Sequence, residues 1–203
     1  MFVTIPKFIQ ALFPSLIWRK ETNNKEIWLT FDDGPEPEVT PWVLAVLKKE
    51  NVKATFFLVG QQIEEFPDLV GAIIKEGHTI ANHSYSHTNG WLCAKEKYIA
   101  DVEKCQEFMP SNQLFRPPYG KITKAQIALL KENYKIVFWD VLSWDFLQNI
   151  SPKRVQENIL KNTKEGSIIV LHNNQNSYKN LKPILEETIQ ILKEKGFNFS
   201  TTW

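Results

Sequence analysis

Two histidines four residues apart, in His83-Ser-Tyr-Ser-His87, carry the clearest chemical signal in the sequence. That spacing sets both imidazoles on one side of a helical turn or tight loop, where they can share one metal ion. Histidine pairs so spaced also occur as unrelated surface groups, but this chain has only 4 histidines and spends two of them here. A carboxylate would complete the ligand set, and Asp32-Asp33 offers one with a second to spare. Adjacent acids at the end of an apolar stretch repel each other in a partly dry site, and a nearby cation relieves that cost. An Asx-turn or a helix N-cap accounts for one aspartate and leaves the other unexplained. One acid can therefore bind metal while its neighbour takes a proton.

The surrounding sequence alternates strand and helix. Glu26-Ile-Trp-Leu-Thr-Phe31 reads as a buried strand that stops at the turn signal Asp32-Asp33-Gly34-Pro35. Residues 40–49 have helical periodicity through Val43, Leu44, Val46 and Leu47, with Thr40 as N-cap and Pro41 at the first helical position. Further strands are expected over 53–59, 78–81, 114–115, 135–139, 167–171 and 197–200, and helices over 66–75, 95–108, 123–132, 152–162 and 183–193. Such alternation implies a parallel sheet, and about seven units imply a distorted (β/α)7-type barrel, a single α/β domain. Loops at the C-terminal ends of barrel strands share one face, where active sites are built. The turn at Asp32, the loop at His83, Arg116-Pro-Pro-Tyr-Gly120, the loop at Asp145 and His172 each follow an expected strand, so polar residues converge from five places.

In order and in combination, these motifs resemble the polysaccharide deacetylases of the nodulation-protein-B homology type, carbohydrate esterase family 4. Thr30-Phe-Asp-Asp-Gly-Pro35 is similar to the first motif of that family, His83-Ser-x-x-His87 to the second, Arg116-Pro-Pro-Tyr to the third and Ile169-Val-Leu-His172 to the fifth. The resemblance implies that Asp33, His83 and His87 bind a divalent metal, most often zinc, with cobalt or another transition metal as alternatives. It implies Asp32 as general base, Arg116 as the group orienting its carboxylate, and the backbone N–H of Tyr119 as an oxyanion donor. His172 would be the general acid, its pKa raised by Asp145. The fourth motif departs from the family pattern Asp-x-x-Asp-Trp, reading Leu142-Ser-Trp-Asp145-Phe146. Asp145 is kept, whereas Phe146 in place of tryptophan bears on the acetyl-methyl pocket, and Trp144 beside it is either a sugar platform or a packed loop anchor.

The implied activity is metal-dependent removal of N-acetyl groups from N-acetylglucosamine-containing glycans such as chitin or peptidoglycan. An O-acetyl esterase acting on xylan and a non-hydrolytic glycan-binding relative are the alternatives. Lysine plus arginine number 24 against 23 acids, so the net charge of +1 implies no nucleic-acid or anionic-membrane partner. Residues 26–203 form the expected catalytic domain, and residues 1–25 a segment packed on it, with Met1 to Trp18 read as a short amphipathic helix. Lys7, Pro6 and Pro14 interrupt that stretch and make it a poor export signal, so the sequence by itself reads as cytoplasmic, or as envelope or secreted if a leader is missing. No transmembrane segment is expected, and a monomer is. Cys93 and Cys105 can form one bridge or remain two thiols.

Overall fold

Glu26–Asp32 forms strand β1, whose residues divide between two environments with the period of two of an extended chain. In this computed structural model, which describes residues 3–109 and 112–203, Ile27, Leu29 and Phe31 face outward into the main apolar cluster. Trp28 faces the other way, against Phe57, Ala81, Leu114, Val137 and Ile168. The remaining elements follow as α1 (Lys7–Leu12, ahead of β1), α2 (Val39–Lys49), β2 (Thr55–Leu58), α3 (Gly60–Glu65), α4 (Pro67–Lys75), β3 (Thr79–Asn82), α5 (Lys95–Gln106), β4 (Leu114–Phe115) and α6 (Lys124–Leu130). Then come β5 (Lys135–Ile136), β6 (Val141–Leu142), α7 (Pro152–Asn162), β7 (Ile168–His172), α8 (Gln175–Leu181), α9 (Leu185–Glu194) and β8 (Asn198–Phe199).

The strands run parallel in the order β5-β4-β3-β2-β1-β7-β6, with β8 added to the start of β1. This is the expected curled sheet of a distorted (β/α)7 barrel. Each of the residues packed on Trp28 comes from a different strand or its immediate continuation, so together they fill the barrel interior. Helices α2, α4, α7 and α9 cover the outer face through Val43, Leu47, Ile73, Val155, Ile159, Ile189 and Leu192.

The closure is indirect. No pairing joins β5 to β6 among the described residues, and the N-terminal segment fills the seam. Ile17 bridges in parallel to Val137, Thr4 antiparallel to Val141 and Arg19 antiparallel to Ser167. The amide of Phe138 donates to the carbonyl of Ile17 at 2.8 Å and that of Leu142 to Val3 at 2.9 Å. Met1 and Phe2, part of the expected amphipathic helix, lie outside the described residues. The helix that forms, α1, has six residues and buries none of them, leaving Phe8 69% and Leu12 67% exposed. Pro6 and Pro14 confine it, and packing falls instead to Leu16 and Trp18 beyond it.

Other expectations shift for local reasons. Thr40 does not cap α2, which already begins at Val39; its hydroxyl accepts from the amide of Glu36 at 2.7 Å while the Glu36 carboxylate accepts from Val39 at 2.7 Å. The strand expected over 135–139 breaks after β5, and Asp145 follows the two-residue β6 instead. Cys93 and Cys105 are separate free thiols, the latter buried with its Sγ toward the carbonyl of Leu58.

Candidate active site

The strand register places one set of polar residues at the top of the barrel. Asp32 pairs with Phe57 on one side and His172 on the other, and Phe57 pairs with Ala81, so these positions share the inward phase. His83, two residues beyond Ala81, continues that phase, its amide donating to the carbonyl of Leu58. Arg116, two beyond Leu114, does likewise, its amide donating to Asn82. Asp32, His83, Arg116 and His172 are therefore delivered by alternation alone.

Asp33, His87, Tyr119 and Asp145 are not, and the backbone there leaves ordinary geometry. Of the seven described non-glycine residues with positive φ, five lie here: Asp33 (77°), Ser84 (63°), His87 (53°), Tyr119 (60°) and Trp144 (66°). Each such residue costs about 1–3 kcal/mol, a strain that persists where surrounding contacts over-determine it. Gly120 also has positive φ, and a Cβ there would come within 2.5 Å of the Trp139 ring, so Trp139 seats the Tyr119 turn and requires the glycine.

Three donors converge. Asp33 Oδ1 lies 3.0 Å from His87 Nε2 and 3.4 Å from His83 Nε2, and the three ligand atoms are all within 4.8 Å of one another. His83 Nδ1 donates to the carbonyl of Arg116 at 2.8 Å, which in the neutral ring leaves the Nε2 lone pair facing the cluster. His87 Nδ1 meets the Tyr119 hydroxyl at 3.0 Å. With no ion bound and the Nε2 atoms protonated, burial opposes ionisation of Asp33, but hydrogen bonds from His83 and His87 and the charges of His172 and His83 outweigh it and hold its pKa well below the ordinary carboxylate value. An ionised carboxylate and two imidazoles oriented by their second nitrogens fit a divalent transition metal.

Behind this cluster lies a buried ion pair. Asp32 Oδ1 accepts from Arg116 Nη1 at 2.6 Å, and Arg116 is wholly buried. The guanidinium also donates to Thr30 Oγ1 at 2.7 Å and to the carbonyl of Phe138 at 3.1 Å, and rests 4.0 Å from the Phe57 ring centre. Its planar fork is thus satisfied on several sides and fixes one oxygen of Asp32.

On the neighbouring strand, His172 Nδ1 donates to Asp145 Oδ1 at 2.7 Å, and the His172 amide donates to Asp145 Oδ2 at 2.7 Å. Burial on its own would lower the His172 pKa; the Asp145 charge and hydrogen bond, with smaller contributions from Asp33 and Asp32, reverse this and raise it to about 9. The Phe146 ring stands edge-on to His172 at 4.8 Å, with Trp144 5.5 Å beyond. The residues expected from the sequence thus gather at this end of the barrel, with Tyr119 61% exposed at the rim and Trp144 reaching His172 through the Phe146 ring.

Several partners escaped the sequence reading. Ser143 Oγ donates to Asp145 Oδ1 at 2.9 Å, and Asn180 Nδ2 to the Asp145 carbonyl at 2.7 Å. Asn174 Nδ2 donates to Asp33 Oδ2 at 2.6 Å. The only local signal for Asn174 was its helix-capping residue type ahead of α8.

Residues 19–135 match the polysaccharide deacetylase family. A peptidoglycan-N-acetylglucosamine deacetylase of Bacillus cereus is 39% identical over 186 residues, covering 88% of this chain and 67% of that protein. The crystal structure of a peptidoglycan N-acetylglucosamine deacetylase in complex with 4-naphthalen-1-yl-N-oxidanyl-benzamide superposes with a TM-score of 0.88 at 35% identity, covering 97% of this chain and 94% of that one. A mutant of a carbohydrate esterase family 4 pseudoenzyme with restored enzymatic activity gives a TM-score of 0.82 at 26% identity, covering 94% and 71%.

Proposed function

The chain belongs to the polysaccharide deacetylase family, and on that premise we propose that it hydrolyses the N-acetyl groups of N-acetylglucosamine residues in a glycan, with peptidoglycan as the first substrate to test. Three relatives from Bacillus cereus are described as acting on that polymer. The observation that carries the reading is the convergence of two charged pairs, Asp32–Arg116 and His172–Asp145, with the Asp33–His83–His87 cluster at one end of the barrel.

Asp33 Oδ1 and the Nε2 atoms of His83 and His87 would hold a divalent ion, zinc or cobalt. Such an ion, when bound, polarises an acetyl carbonyl and makes water acidic enough to attack near neutral pH. Asp32 accepts the proton of the attacking water on the oxygen that Arg116 leaves free, while Arg116 holds its other oxygen in place. The Tyr119 amide donates to the oxyanion as the carbonyl carbon becomes tetrahedral. His172, already protonated through Asp145, delivers a proton from Nε2 to the departing amine. Phe146 bounds the space for the acetyl methyl.

The test is acetate release from peptidoglycan, chitin oligomers and acetylated xylan, before and after chelation and with zinc or cobalt restored. Loss on chelation and recovery on the N-acetylated glycans are expected. Undiminished activity after complete metal removal contradicts the proposal, and glycan binding with no acetate released under any metal favours a non-hydrolytic relative.

A further inference from the structure

We infer that Asn174 is a positioning residue for Asp33, and that its amide sets the affinity of the three-ligand cluster for a divalent cation by fixing which carboxylate oxygen faces the histidines. The inference rests on the metal-binding reading above.

The two oxygens of Asp33 have separate partners. Oδ1 faces His83 and His87 at 3.4 and 3.0 Å, whereas Oδ2 accepts from Asn174 Nδ2 at 2.6 Å. The amide orientation is determined by its surroundings. Asn174 Oδ1 accepts from the Ser177 amide at 3.0 Å, so a flipped side chain would set oxygen against carboxylate at one end and N–H against N–H at the other.

The backbone is held as well. The Asn173 amide donates to the Asp32 carbonyl at 2.7 Å, carrying the β1–β7 register one step past the Asp32–His172 pair and setting Asn174 beside Asp33. A neutral donor suits this position. It makes a charge-assisted bond that restrains the carboxylate without bringing a positive charge to compete with a cation. Asp33 itself sits at φ 77°, outside the extended geometry of the strand.

Asn174→Ser keeps an N-cap acceptor for α8 and removes the amide donor. The measurement is zinc and cobalt affinity by competition with a chromophoric chelator, alongside the melting temperature of the metal-free protein. A melting temperature near that of the parent with affinity weakened about tenfold to a hundredfold is the expected result. If the serine variant does not fold, Asn174→Thr, also a capping residue, takes its place. A folded variant that binds both ions as tightly as the parent overturns the inference. A parent protein that binds neither ion defeats the metal-binding reading instead.

Discussion

Adjacent aspartates reach different partners here because one stays in the strand and the other leaves it. Asp32 keeps the inward phase of β1 and meets Arg116 within the barrel; Asp33 turns out of it to face the histidines. The same economy governs His172, whose charge is a contest between burial, which removes the proton, and Asp145, which retains it. Asp145→Asn removes the stronger side of that contest. The His172 midpoint, read by NMR in the metal-free protein, should fall from about 9, and the basic limb of activity should move to lower pH with it. A midpoint unchanged in the variant would show that Asp145 does not hold the proton. The linked stability has a definite sign. A folded pKa raised above the unfolded one stabilises fully below pH 6.5 and loses that contribution as pH rises through about 9, so unfolding free energy should decline across this window and the variant should flatten the decline.

At the scale of elements, what was legible in the sequence follows the strand period. His83, Arg116 and His172 lie in phase with apolar residues that read as strands, so their convergence could be anticipated from alternation. Asp145 was attached to the wrong strand, because β6 is too short to display any period. Asn174 and Ser143 were missed for a related reason, since their roles depend on loop conformations that no periodicity encodes. The seam was also invisible, because bridging by Thr4 and Ile17 needs single backbone pairings rather than a run of strand-forming residues. Its contribution is measurable. Trp18, buried with its ring 4.6 Å from Phe138, should cost about 3–5 kcal/mol in denaturant unfolding when replaced by alanine. Phe8→Ala, on the exposed α1, should change stability by less than about 0.5 kcal/mol. Equal effects of the two would show that the seam is not where the N-terminal segment is held.

Across the whole molecule, the barrel separates stability from chemistry. Its interior packs Trp28, Phe57, Leu114 and Ile168 together, and the Arg116 guanidinium, resting on the Phe57 ring, carries the ionisable cluster above them. A ligand that binds only the assembled top face must stabilise the fold as a unit. Zinc free in solution at about 100 times its Kd should add about 2.7 kcal/mol to unfolding free energy in the parent and nothing in His83→Ala. A like gain in both proteins would place the ion elsewhere. The central claim, that Asp33 holds the ion while Asp32 moves the proton, is tested most directly by Asp32→Asn, following zinc affinity and acetate release in the same preparation. Zinc should bind with close to parental affinity, and turnover should fall by about a hundredfold or more. A variant that binds zinc and still releases acetate at the parental rate would contradict it.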